Sequence, residues 1–187
     1  MPRPPHPAQN QRDHLGAGQD RGASAVEFAL LVPVFVMLVI GGITGGLAVN
    51  HKLSLTQAAR EGARYGSTLP IPPVPGQTEA DWLNAVLQTT QQAAGSDLVP
   101  GQDNSTLCVA FVDGATGPNT MHLSMDTTGA VGVAPTAGPC FTDTTGVRAD
   151  QRVQIQIERD LLLDAGIYRW PLHIQTQAVV HYERPSP

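Results

Sequence analysis

The first third of the chain carries its longest apolar run. Residues 23–49 read ASAVEFALLVPVFVMLVIGGITGGLAV and contain one acid, Glu27, and one helix breaker, Pro33. A membrane span needs about 20 apolar residues at about 1.5 Å rise each. A core helix of a soluble domain carries polar residues in every turn, and this segment does not. The pattern predicts one transmembrane helix over residues 23–49.

Beyond the span the apolar residues take helical spacing. Leu55, Ala58 and Tyr65 fall on one side, and charged residues lie elsewhere around the helix. We expect the same helix to continue over residues 50–68 and to stop near Gly66.

A second helix is predicted after a Pro-rich loop. Thr78 can cap its N-terminus, Glu79 and Asp81 occupy the first turn, and Gly95 offers a stop. Its apolar face consists of Trp82, Leu83, Val86 and Leu87.

Strand patterns dominate the rest of the chain. Residues 106–112, 152–159 and 173–182 are rich in β-formers, and the second of these segments alternates strictly. The prediction is therefore an α+β protein: a long N-terminal transmembrane helix extends into a small head with a second helix and a short antiparallel sheet. Residues 69–187 would form that head, outside the cytoplasm.

An apolar connection lies between the last two predicted strands, at residues 161–163 and 167–170. We expect it to be buried in the head; contact with the membrane surface or with another subunit is the alternative.

Charge sets limits on partners and on topology. With 11 Lys and Arg against 16 Asp and Glu, the net charge is -5 and the basic residues are scattered, so no nucleic-acid partner is expected. Three basic residues lie on each side of the span: Arg3, Arg12 and Arg21 before it, and Lys52, Arg60 and Arg64 after it. Residues 1–22 read as an unfolded polar leader, whereas the folded part follows the span, so the N-terminus is placed in the cytoplasm.

Two cysteines, Cys108 and Cys140, are the only ones in the chain. In an extracytoplasmic head they are candidates for one disulfide, with two free thiols as the alternative. The absence of a C-x-x-C motif argues against redox catalysis and against a zinc site.

A processing motif precedes the apolar run. Gly22 ends a polar stretch, Ala23 follows it, and Glu27 and Phe28 are fifth and sixth after the glycine. This arrangement resembles the type IV prepilin signal, in which a peptidase cuts after the glycine. The longer text, RGASAVEFALLVPVF followed by LTQAAREGARYG, resembles the TadE-like minor pilins of tight-adherence (type IVc) pilus systems.

The resemblance implies a structural role in pilus assembly. It implies a prepilin peptidase, other pilins and minor pilins, and the inner-membrane assembly platform as partners, beside the lipid bilayer itself. Cleavage would place a new ammonium at Ala23, one turn from Glu27, which could neutralise the carboxylate in lipid. The alternative is that Glu27 simply reaches the headgroups near the helix N-terminus.

A glycine stripe lies in the second half of the span. Gly41, Gly42, Gly45 and Gly46 form two overlapping G-x-x-x-G patterns, which allow another helix to approach closely. We expect helix packing there.

No catalytic, metal or cofactor site is predicted, and the protein is not expected to be an enzyme. Neither H-E-x-x-H, G-x-S-x-G nor a phosphate-binding glycine loop occurs. His122, Ser124 and Asp126 would share one face of a strand, but polar alternation on a solvated face explains them more simply.

A secreted or signal-anchored protein unrelated to pili is the competing interpretation, since signal peptidase could cut after Ala48. Against secretion, the apolar run exceeds an ordinary signal core, and the helical pattern continues through the proposed cut.

Overall fold

A computed structural model describes residues 17–70, 75–101, 104–114, 120–142, 150–164 and 169–182. Most of the predicted leader, residues 1–16, lies outside this set, as do residues 165–168 of the apolar connection. The chain divides into two compact units, Met1–Gly45 and Gly46–Pro187.

The first helix, α1, comprises Ala17–Thr68 and confirms the predicted continuous helix over residues 23–68. It begins six residues earlier than predicted, so the expectation of an unfolded leader is wrong for residues 17–22. Pro33 lies inside it without ending it. In the first unit α1 is the only described element. In the second unit its apolar stripe, which includes Leu55, Ala58 and Ala63, is buried in the head.

The second helix, α2, comprises Glu79–Ala94. The side chain of Thr78 accepts a hydrogen bond from the Asp81 backbone, and the Asp81 carboxylate accepts one from the Thr78 backbone. This capping box satisfies two backbone N–H groups that the helix leaves open. Gly95 follows the last turn with φ 57°, a conformation that glycine adopts without strain, and confirms the predicted stop.

Five antiparallel strands form one sheet in the order β3-β2-β1-β4-β5. Their bounds are β1 Thr106–Asp113, β2 Met121–Met125, β3 Thr136–Ala137, β4 Gln151–Asp164 and β5 Arg169–His181. The predictions for β1, β4 and β5 are confirmed, whereas β2 and β3 were not predicted. The α+β fold class is confirmed.

The core of the head lies between one face of this sheet and the two helices. Alternate residues of β1 and β4, such as Val109 and Ile155, point toward α2 and the second half of α1. The helices pack closely there: a Cβ added to Gly62 would lie 2.0 Å from Thr90 Oγ1 of α2. Glycine at this position lets α1 and α2 touch.

The apolar connection is not the buried loop that the sequence predicted. Residues 161–164 continue β4, and residues 169–172 open β5. Leu162 is 70% exposed and Trp170 is 50% exposed, so the expectation of burial is wrong for these two side chains. The error arises because the hairpin extends beyond the helices that cover the rest of the sheet.

Candidate functional site

The predicted processing residues lie in adjoining turns of α1. Gly22, Ala23, Glu27 and Phe28 are all exposed, and the Phe28 ring is 70% accessible. Ala23 and Glu27 are four residues apart, so their side chains occupy the same face about 6 Å apart along the axis. An ammonium released at Ala23 would therefore be within reach of the Glu27 carboxylate.

The bond between Gly22 and Ala23 is itself helical, because α1 begins upstream at Ala17. A protease that attacks this carbonyl must first open the surrounding turn, since helical carbonyls are hydrogen-bonded. Glycine weakens a helix by about 1 kcal/mol relative to alanine, so Gly22 makes this turn easier to open. The same requirement applies to the alternative cut after Ala48, and helix continuity does not distinguish the two.

The apolar side chains of α1 in the first unit point outward in every direction. The exposed large side chains include Val26, Phe28, Leu30, Leu31, Val34, Phe35, Met37, Leu38 and Ile43. By length and composition, the part of α1 within Gly22–Thr68 is the one described helix able to cross a membrane, and its most apolar window is not buried inside the protein. Such a surface is compatible with membrane anchoring.

The glycine stripe presents bare backbone. A Cβ at Gly41, Gly42, Gly45 or Gly46 would meet no other described atom within 4 Å. The Thr44 hydroxyl donates to Ile40 O at 2.9 Å, which keeps its polar group on its own helix. A second helix would find a flat, apolar contact surface here.

An ionic cluster joins α1 to the sheet within the head. The Asp97 carboxylate lies 2.6 Å from His51 Nδ1 and 3.4 Å from Arg159 Nη1, and the same guanidinium donates to Asp97 O at 2.6 Å. Burial raises the pKa of Asp97, but hydrogen bonds from Ser54 and His51 and the nearby positive charges outweigh it, so the net pKa is below its ordinary value. Asp97 is 46 positions from His51 and 62 positions from Arg159 in the sequence, so no local sequence signal indicates this cluster.

The two cysteines form the predicted disulfide. Cys108 projects from β1 on the sheet face opposite the helices, and Cys140 follows β3, with their Cα atoms 5.7 Å apart. The bond encloses 32 positions of chain and fixes the segment after β3 on the outer face of the sheet.

Of the polar trio His122, Ser124 and Asp126, the first two lie on β2, and Asp126 follows the last residue of that strand. His122 Nδ1 lies 3.0 Å from Gly138 O, and the Asp126 carboxylate accepts hydrogen bonds from the Thr128 hydroxyl and the Ala130 backbone. Those bonds, the Thr128 hydroxyl first, lower the pKa of Asp126. Asp126 thus closes a turn. Among the residues described, no three His, Cys, Asp or Glu side chains gather into a group able to hold a metal ion.

Comparison with protein families identifies one segment. Residues 22–64 match the family model described as TadE-like protein. This part of the chain is TadE-like. The TadE-like segment begins at Gly22, includes the whole exposed apolar helix and the glycine stripe, and ends at Arg64 inside the head. No curated protein and no solved structure matches the chain.

Proposed function

We propose that the protein is a membrane-anchored minor pilin or pilus-assembly component of a tight-adherence type IVc pilus. The observation that carries the proposal is the coincidence of two boundaries: the TadE-like match begins at Gly22, the residue after which the prepilin motif predicts cleavage. The same helix then offers an exposed apolar surface, as a pilin helix must when it passes from lipid into a filament.

The first step is hydrolysis of the Gly22–Ala23 peptide bond by a prepilin peptidase on the cytoplasmic side. Water adds across the bond, leaving a carboxylate on Gly22 and an ammonium on Ala23. That ammonium lies one turn from Glu27 on the same helix face. A carboxylate at the bilayer centre is disfavoured by about 3 kcal/mol, and pairing with an ammonium offsets this cost.

The second step is lateral assembly with other pilins and minor pilins on the inner-membrane platform. The ammonium of one subunit can pair with Glu27 of the next, which would set the axial register between neighbouring helices. The glycine stripe would let the helices approach closely. The protein contributes packing surfaces and no catalysis.

The orientation that fits this role has the N-terminus in the cytoplasm and the head outside it. The Cys108–Cys140 disulfide supports that placement of the head, since disulfides persist mainly in oxidising compartments.

Co-expression with a prepilin peptidase tests the processing step. Gly22→Leu should block the loss of the leader, because a bulky side chain replaces the glycine at the scissile bond. Gly18→Leu makes the same change four residues upstream in the same helix and should be cut normally. Equal processing of both variants would contradict cleavage after Gly22.

Glu27→Gln tests the assembly step. The neutral amide is nearly isosteric, so processing should continue while recovery with other pilins falls. Glu61→Gln alters another exposed carboxylate of α1, outside the apolar segment, and should assemble normally. Normal assembly of the Glu27→Gln variant would contradict the proposed pairing of the Glu27 carboxylate with an ammonium.

A further inference from the structure

The paired strands β4 and β5 continue past the part of the sheet that the helices cover. On the face that packs against the helices, the last buried pair is Arg159 with Ile174. Two further pairs follow, Leu161 with Leu172 and Leu163 with Trp170. Burial falls along them until half of the Trp170 surface is exposed. We call residues 161–163 and 169–172 the hairpin tip.

Contacts inside the head show which way the hairpin tip points. A Cβ on Gly66 would lie 3.1 Å from Val153 Cγ1, near the start of β4. Further along β4, Arg159 bonds Asp97, which in turn bonds His51. β4 therefore runs antiparallel to α1, from the C-terminal end of the helix toward its N-terminal end.

The hairpin tip reaches the end of the head where the chain enters it. Leu163 lies four residues beyond Arg159, about 13 Å at strand rise. Gly46, the first residue of the head unit, lies five residues before His51, about 8 Å at helical rise. The hairpin tip thus extends at least as far as Gly46. Since the chain continues from there into the apolar segment, connectivity holds this end of the head nearest the bilayer.

The helix surface at this level is also apolar. Leu47, Val49 and Leu53 of α1 are each more than half exposed within the head unit, and Lys52 is the first basic residue after the span. A lysine at this point can extend its ammonium to the headgroups. Exposed apolar side chains thus lie at this end of the head both on α1 and on the hairpin tip.

We infer that the hairpin tip is a second membrane contact, which inserts into the interfacial layer of the bilayer. Trp170 supplies the indole that prefers this layer. Leu162, exposed on the opposite face of the same hairpin, gives the hairpin tip apolar surface on both sides.

Backbone chemistry limits the depth of insertion. β5 is an edge strand, and β1 pairs with β4 only as far as Glu158, so within the described part of the chain no further strand pairs along either side of the hairpin tip. Unpaired backbone groups are not tolerated in the hydrocarbon region, whereas water reaches them among the headgroups. We therefore expect a shallow contact.

The inference rests on the anchored arrangement proposed above, and its test separates the two. The full chain is reconstituted in phosphatidylcholine nanodiscs, and flotation or carbonate extraction first establishes that it is anchored. Failure of anchoring would remove the proposed function. If the chain is anchored but nitroxide lipids do not quench Trp170, only the proposed hairpin contact is contradicted.

Tryptophan quenching measures the contact, because the chain has only Trp82 and Trp170 and the former is buried in the core. Lipids carrying a nitroxide near the headgroup should quench a large share of the emission. Nitroxides near the acyl-chain ends should quench less. Trp170→Phe should abolish the lipid-dependent part and leave the emission of Trp82.

A matched pair of substitutions gives the control. Leu162→Asp places a charge in the hairpin tip and should reduce the quenching of Trp170. Val133→Asp makes the same kind of change at a fully exposed position remote from the hairpin in sequence, and it should leave quenching unchanged. Because both side chains are largely exposed, neither substitution should unfold the head.

Three results would overturn the inference. The first is a water-like Trp170 emission that no nitroxide lipid quenches. The second is equal loss of quenching in both Asp variants. The third is a blue-shifted, unquenched Trp170 whose emission depends on the protein-to-lipid ratio, which would assign the hairpin tip to another protein subunit.

Discussion

Replacing Gly62 by alanine tests how α1 and α2 pack in the head. The new Cβ would lie 2.0 Å from Thr90 Oγ1 and 2.8 Å from Ile155 Cδ1. Thr90 cannot easily turn away, because it is fully buried and its hydroxyl donates to Val86 O at 2.8 Å. The two helices must therefore separate, or that hydrogen bond must break.

The magnitude follows from opposing effects. Overpacking a core costs about 1 to 3 kcal/mol, and loss of the Thr90 hydrogen bond adds about 1 kcal/mol. Alanine in place of glycine in a helix returns about 1 kcal/mol. We expect Gly62→Ala to lower the free energy of unfolding of the head by about 2 kcal/mol.

A double-mutant cycle with Thr90→Ala isolates the contact. Alanine at position 90 removes the closest atom, Thr90 Oγ1, but leaves Ile155 Cδ1 at 2.8 Å, so Gly62→Ala should cost clearly less in that background, with a coupling energy of about 1 kcal/mol. Urea unfolding of the full chain in nanodiscs, followed by Trp82 emission in a Trp170→Phe background, provides the measurement. Equal effects of Gly62→Ala in both backgrounds would refute the packing described here.

Three further predictions concern the head. The double variant Cys108→Ser/Cys140→Ser should lose about 3.7 kcal/mol of stability, the chain-entropy value for the enclosed loop, and unchanged urea unfolding would contradict this. Thr78→Ala should cost about 1 kcal/mol by removing the cap of α2, measured in the same way. The lowered pKa of Asp97 implies stability that is present above about pH 4 and lost as pH falls through the folded-state pKa. Asp97→Asn should remove that part of the acid dependence and cost about 2 kcal/mol at neutral pH by weakening the contact with Arg159, and an unaltered acid dependence would refute the assignment.

The elements that the sequence predicted are those with long or strongly marked local patterns. The apolar run and the stripe containing Leu55 and Ala58 predicted α1, and Thr78 with Gly95 delimited α2. Strict alternation marked β4. In each case the residues that determine the structure lie within a few positions of one another, so a local pattern carries the information.

The elements that were missed depend on distant partners. β2 is only five residues long, and its polar residues, which the sequence analysis explains as a solvated face, do not by themselves predict a strand. β3 has two residues and no pattern of its own. The strand order and the exposed hairpin tip depend on which surfaces the helices cover, and pairwise contacts over long separations decide this.

The candidate site also contains residues that a local pattern predicts and residues that only the fold brings together. The processing residues from Gly22 to Phe28 stay a prediction from a short linear motif, whereas the predicted disulfide is confirmed, because the chain has only two cysteines to pair. The cluster of His51, Asp97 and Arg159 was not predicted, since the fold alone brings these residues together.

Processing after Gly22 can be checked by N-terminal sequencing of the protein purified from membranes of cells that assemble the pilus. We predict Ala23 as the first residue, with the apolar helix retained. Met1 as the first residue, in a protein that still enters the pilus, would contradict processing after Gly22, and Val49 would assign the chain to ordinary secretion.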